Sequence, residues 1–260
     1  MDTVTAIRQK IERANHHIEE LELALIRFGN TNPYKVTSQR NPQTRELVYY
    51  MAQVAEIPPE LALIAGDILQ NLRTALDHLA WALVATPPKN PKSISFPIFD
   101  SAKSYQSHFA GKVACFLPAA QKAIEALNPY KGGNDALWKL SELNNRDKHR
   151  LLITVAASVR SLNFGGHYRI VKNHGPSDHG FVARIFPDFH ISPTAFRALK
   201  TGDPIYIDFP DAQVNENIDF QFNVAFNEPG VAEGDPIVEF AHSARDLVSN
   251  IISDFAPLLT

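Results

Sequence analysis

The residue types best suited to chemistry crowd into one helical stretch, Gly66-Asp67-Ile68-Leu69-Gln70-Asn71-Leu72-Arg73-Thr74-Ala75-Leu76-Asp77-His78-Leu79-Ala80-Trp81. At 100° per residue, Asp67, Asn71, Thr74 and His78 fall within about 60° of one another and form a polar stripe beside an apolar one. Arg73, Asp77 and Gln70 lie on the other shoulder, with Arg73 about 140° from His78. A merely solvated face more often uses Lys and Glu, whereas Asp, Asn, Thr and His lower helix propensity. An imidazole that titrates near neutrality can move a proton, and a guanidinium fork can hold an anion. The same side chains can instead form a hydrogen-bond network that fixes helix packing.

A second cluster runs from Leu140 through Ser141-Glu142-Leu143-Asn144-Asn145-Arg146-Asp147-Lys148-His149 to Arg150. On a helix, Leu137, Leu140, Leu143 and Leu151 point one way and Asp147 falls on that face. A carboxylate among leucines is costly unless it meets a cation or several donors. Arg73 and His78 are its expected partners, so the two helices are expected to meet through a polar centre, with Asn144 supporting it.

Other titratable residues are less organised. His167, His174, His179 and His190, with Asp178 and Asp188, are scattered through loops and short strands, and no pair has metalloprotease spacing. His16 and His17 cannot share a helix face. The single cysteine, Cys115, has no evident base partner and excludes an internal disulfide framework. There is no phosphate-binding loop, dinucleotide fingerprint or serine nucleophile elbow. Neither a metal nor a cofactor is expected.

These clusters need elements to position them. Val4, Ile7, Ile11, Ala14, Ile18, Leu21, Leu25 and Phe28 recur at three- and four-residue steps and predict a helix over 2–28, stopped by Gly29-Asn30 and Pro33. Such a stripe serves a bundle partner or a dimer seam. Two β-prone runs, 35–40 and 46–54, flank the turn residues Asn41 to Thr44 and predict a hairpin. Pro58-Pro59 opens a helix to about Ala85 with the core stripe Leu61, Ala65, Ile68, Leu72, Leu76, Leu79 and Leu83. Shorter helices follow over 102–113, 118–127 and 134–149. Strands are expected over 151–159, 167–172, 181–186, 205–209 and 218–226, the last with strict alternation. A closing helix over 238–258 is expected to pack on the opening one. The fold class is α+β: a helical bundle with an appended antiparallel sheet. The expected organisation is one domain over 1–260, helical in 1–150 and 236–260 and sheet-rich in 151–235.

Composition agrees with this. The 260 residues are 45% hydrophobic and 20% charged, which excludes intrinsic disorder. A net charge of −3 argues against a surface that is basic throughout. No apolar run is long enough to cross about 30 Å of hydrocarbon, and residues 1–10 lack the apolar stretch of a secretory signal. A cytoplasmic protein without membrane association is the expectation.

The arrangement G-D-x-x-x-N-L-R-x-x-L-D-H, followed by Phe96-Pro97-Ile98 and by Asp147-Lys148-His149-Arg150, resembles a widespread uncharacterised bacterial family. The resemblance covers about residues 35–152 and implies His where this chain has Gln70. More distantly, the chain resembles HEPN domains, helical bundles that are often dimeric and in which an Arg-x(4–6)-His motif forms a metal-independent ribonuclease site. Arg73 and His78 match that spacing in a helix. Arg160/His167, Arg169/His174 and Arg184/His190 match it only in the strand-rich part. The resemblance implies His78 as the base for an RNA 2′-hydroxyl and Arg73 as the phosphate contact, supported by Asp67, Asn71, Asp77, Asn144 and Asp147. Because Arg73 and His78 diverge on one helix, a homodimer is the assembly this site would need. RNA is the partner implied. The alternative is a non-catalytic interaction or structural module whose polar cluster only fixes packing.

Overall fold

The computed structural model describes residues 3–88, 90–91, 94–149, 153–163, 167–172, 181–186, 190–191, 198–214 and 218–259. Within them the fold is α+β, with six helices and eight strands in the order α1 (Thr3–Gly29), β1 (Tyr34–Arg40), β2 (Glu46–Val54), α2 (Pro59–Ala82), α3 (Ala102–Val113), α4 (Pro118–Ala126), α5 (Asp135–His149), β3 (Val155–Asn163), β4 (His167–Lys172), β5 (Phe181–Phe186), β6 (His190–Ile191), β7 (Pro204–Pro210), β8 (Asp219–Phe226) and α6 (Ile237–Phe255). Two compact units emerge: a helical one over 1–30, 58–155 and 226–260, and a sheet unit over 31–57 and 156–225. The first hairpin therefore belongs with the sheet, a correction to the expected helical stretch 1–150.

In the helical unit, α1 packs most extensively on α2, and α6 packs on both. The apolar stripe of α1 is buried at Ile7, Ala14, Ile18, Leu21 and Phe28. The predicted core stripe of α2, Leu61 through Leu83, is buried at all seven positions. The α1–α6 contact is formed as expected and includes His242 Nε2 to Glu22 Oε1 at 2.8 Å and Arg245 Nη1 donating to Asn15 Oδ1 at 2.9 Å. The helix α2 lies against both, so α1 and α6 are not each other's sole long partners. Local signals set several helix ends. Pro59 and Pro118 stand in first turns, and Ser101 and Asn134 accept the backbone N–H groups of Ser104 and Leu137. The helix α2 ends at Ala82, three residues before the predicted stop, where the Leu83 N–H closes on Leu79 O.

In the sheet unit, β1, β2 and β7 form an antiparallel sheet, β6, β3 and β8 form a second sheet in which β3 runs antiparallel to β6, and β4 and β5 form an antiparallel pair. Met51 of β2, Ala157 of β3 and Leu199 share a buried cluster with Phe222 of β8 against it. The alternation of β8 gives its face to aromatic packing, with Phe220 5.7 Å from Tyr49 and Phe222 4.8 Å from Tyr34. The strand expected over 151–159 instead spans Val155–Asn163. Arg150, Leu151, Leu152, His174, Asp178, His179 and Asp188 lie outside the described residues.

Candidate functional site

The two shoulders of α2 have separate fates. On one, Arg73 and Asp77 sit one turn apart and together grip a single residue of the connector. Arg73 Nη2 donates to Phe96 O at 2.9 Å, and the Phe96 N–H donates to Asp77 Oδ1 at 2.9 Å. The two side chains pair at 3.1 Å. Phe96 itself is fully buried and packs edge-on to Phe255 of α6, with ring centroids 6.4 Å apart. An i, i+4 ion pair thus satisfies both backbone groups of a buried connector residue, which otherwise would be costly. Arg73 is 9% exposed. Burial pushes its guanidinium pKa down, opposed by the charge of Asp77. Its Nη1 is buried and has no partner.

On the other shoulder, Asp67 and His78 are exposed, and Asn71 and Thr74 are half-buried. Asn71 Nδ2 donates to Asp67 O at 2.8 Å, and Thr74 Oγ1 donates to Gln70 O at 2.7 Å. These polar groups are tied back to their own helix rather than to a neighbouring one. The helix-fixing network is the Arg73–Asp77 shoulder, not this stripe.

Asp147 corrects the expected polar centre. Its carboxylate lies over Gly66, where an added Cβ would come within 2.7 Å of Oδ1. Glycine permits that approach of α5 to α2. No hydrogen bond or ion pair joins Asp147 to Arg73 or His78, because Arg73 is committed to Phe96 and His78 faces outward. Burial raises the Asp147 pKa, the negative charge of Asp67 adds to the rise, and Lys148 opposes it. Asn144, three residues earlier on α5, is fully buried, with neither Oδ1 nor Nδ2 partnered.

Sequence reasoning missed one buried carboxylate that several donors satisfy. Glu228 is 2% exposed and accepts from Thr154 N and Thr154 Oγ1, each at 2.8 Å, and from Arg146 Nη1 at 2.8 Å. Burial alone would raise its pKa, but these donors outweigh it and hold the carboxyl below the ordinary glutamate value. The signal available was a lone glutamate after the apolar end of β8, in Phe226-Asn227-Glu228-Pro229-Gly230.

Among the described residues, no group of three or more His, Cys, Asp or Glu is placed to hold a metal ion. No helix among them is long and apolar enough to cross a membrane. A shallow hollow between α5 and α6, lined by Asp135, Lys139, Asp235 and Phe240, is bridged by the Lys139–Asp235 ion pair at 2.6 Å. Comparison with protein-family models, curated proteins and solved structures finds no match for this chain.

Proposed function

We propose that this chain is a non-catalytic interaction module in which the Arg73–Asp77 pair is a structural clamp and the outward stripe of α2 is the contact surface. One observation carries the reading: Arg73 is nine-tenths buried, with Nη2 on both Phe96 O and Asp77 Oδ1. A phosphate contact needs a guanidinium that reaches solvent. Asp77 is likewise occupied, by the Phe96 N–H and by Arg73. A second reading, a HEPN-like metal-independent endoribonuclease acting on RNA, draws on the exposed imidazole of His78.

Incubation of the purified chain with single-stranded RNA, with and without EDTA, separates the two. The module reading expects no cleavage. It also expects Arg73→Ala to cost about 3 kcal/mol in urea denaturation, as breaking a buried ion pair does, while His78→Ala unfolds like wild type. The ribonuclease reading requires EDTA-resistant cleavage that His78→Ala lowers by about 10²-fold or more with the fold intact.

A further inference from the structure

The outward face of α2 carries large apolar side chains where a helix surface ordinarily ends in charge. Leu63 is 55% exposed and Trp81 is 47% exposed. At 100° per residue, Leu63, Asp67, Asn71, Thr74, His78 and Trp81 fall within about 80°. Their order is close to a palindrome. The midpoints of Leu63 with Trp81, of Asp67 with His78 and of Asn71 with Thr74 agree to within about half a residue, or under 1 Å of helix rise. An antiparallel copy of the same helix would set apolar against apolar at both ends, carboxylate against imidazole inside them, and amide against hydroxyl at the centre.

We infer that the partner of this face is a second copy of the same chain, docked antiparallel along α2 about a two-fold axis that crosses the stripe between Asn71 and Thr74. This rests on reading the α2 stripe as a contact surface and names its occupant. A two-fold contact requires a self-complementary patch, and the stripe supplies one in apolarity and in charge. The polar centre suits a reversible contact, because Asn71 and Thr74 already satisfy one hydrogen bond each within α2.

Sedimentation of the full chain over a concentration series tests this. Wild type should show a two-chain mass that dissociates on dilution. Asp67→Lys sets a cation against His78 of the second copy, and His78→Asp sets a carboxylate against Asp67. Each alone should raise the dimer Kd by about tenfold or more. An equimolar mixture of the two variants should recover a mixed dimer within about threefold of wild type, since the reversed charges then face each other. Both positions are exposed, and circular dichroism should report unchanged folding. A single-chain mass at every concentration, a Kd untouched by either variant, or a mixture that fails to recover overturns the pairing. If RNA remains uncleaved in those cases, the module reading stands and only its proposed occupant falls; cleavage that depends on His78 overturns both.

Discussion

Asp147 is a carboxylate held where its charge is unwelcome. It lies over Gly66, near the negative Asp67, and has no cation or donor paired with it among the described residues. Its folded-state pKa is raised, mainly by burial. At neutral pH the ionised form therefore works against folding, and that penalty fades as pH falls through the raised value. Asp147→Asn keeps the shape and removes the charge. It should raise the melting temperature at pH 7 by about 1–2 °C, with the advantage over wild type vanishing in acid. Differential scanning calorimetry at two pH values measures this. A lower melting temperature for the variant at pH 7 would mean that Asp147 has a cation partner after all. Arg73, read from sequence as that partner, reaches instead to the Phe96 carbonyl.

Helices show where sequence reading succeeds and where it stops. The α2 core stripe, the hairpin of β1 and β2 and the span of α3 follow from periodicity and turn chemistry, which are local properties. The clamp on Phe96 was not legible, because a connector must first fold back on α2 before Arg73 and Asp77 can meet it. Period alone also could not tell which polar shoulder of α2 faces inward. On α5, Asn144 was expected to support a polar centre, yet its whole amide is buried without a partner. Burying an unpaired amide costs free energy that an apolar side chain of similar shape avoids. Asn144→Leu should stabilise the protein by about 1–2 kcal/mol in urea denaturation. Destabilisation by a similar amount would instead point to a buried water that bonds the amide.

Within the helical unit, Glu228 joins Arg146 of α5 to Thr154 just before β3, linking distant parts of the chain. Because its folded pKa is lowered, its stabilisation is present above the unfolded value near 4.5 and is lost as pH falls through the lower folded value. Glu228→Gln should cost about 3 kcal/mol at neutral pH and flatten the acid limb of the stability profile. Equal pH dependence in variant and wild type, followed by urea denaturation from pH 7 to pH 3, would contradict the assignment. The helical unit has a further property, set by how the chain threads it. It is drawn from three separate stretches, and α6, which covers part of α1, begins about 210 residues after α1 ends. At 5–20 residues per second, a ribosome needs about 10–40 s to cross that gap. Through that interval α1 and α2 can pair, but the side of α1 destined for α6 stays open to water and to other nascent chains. The bundle is thus a late product of synthesis, and its first helix spends the longest time waiting for cover.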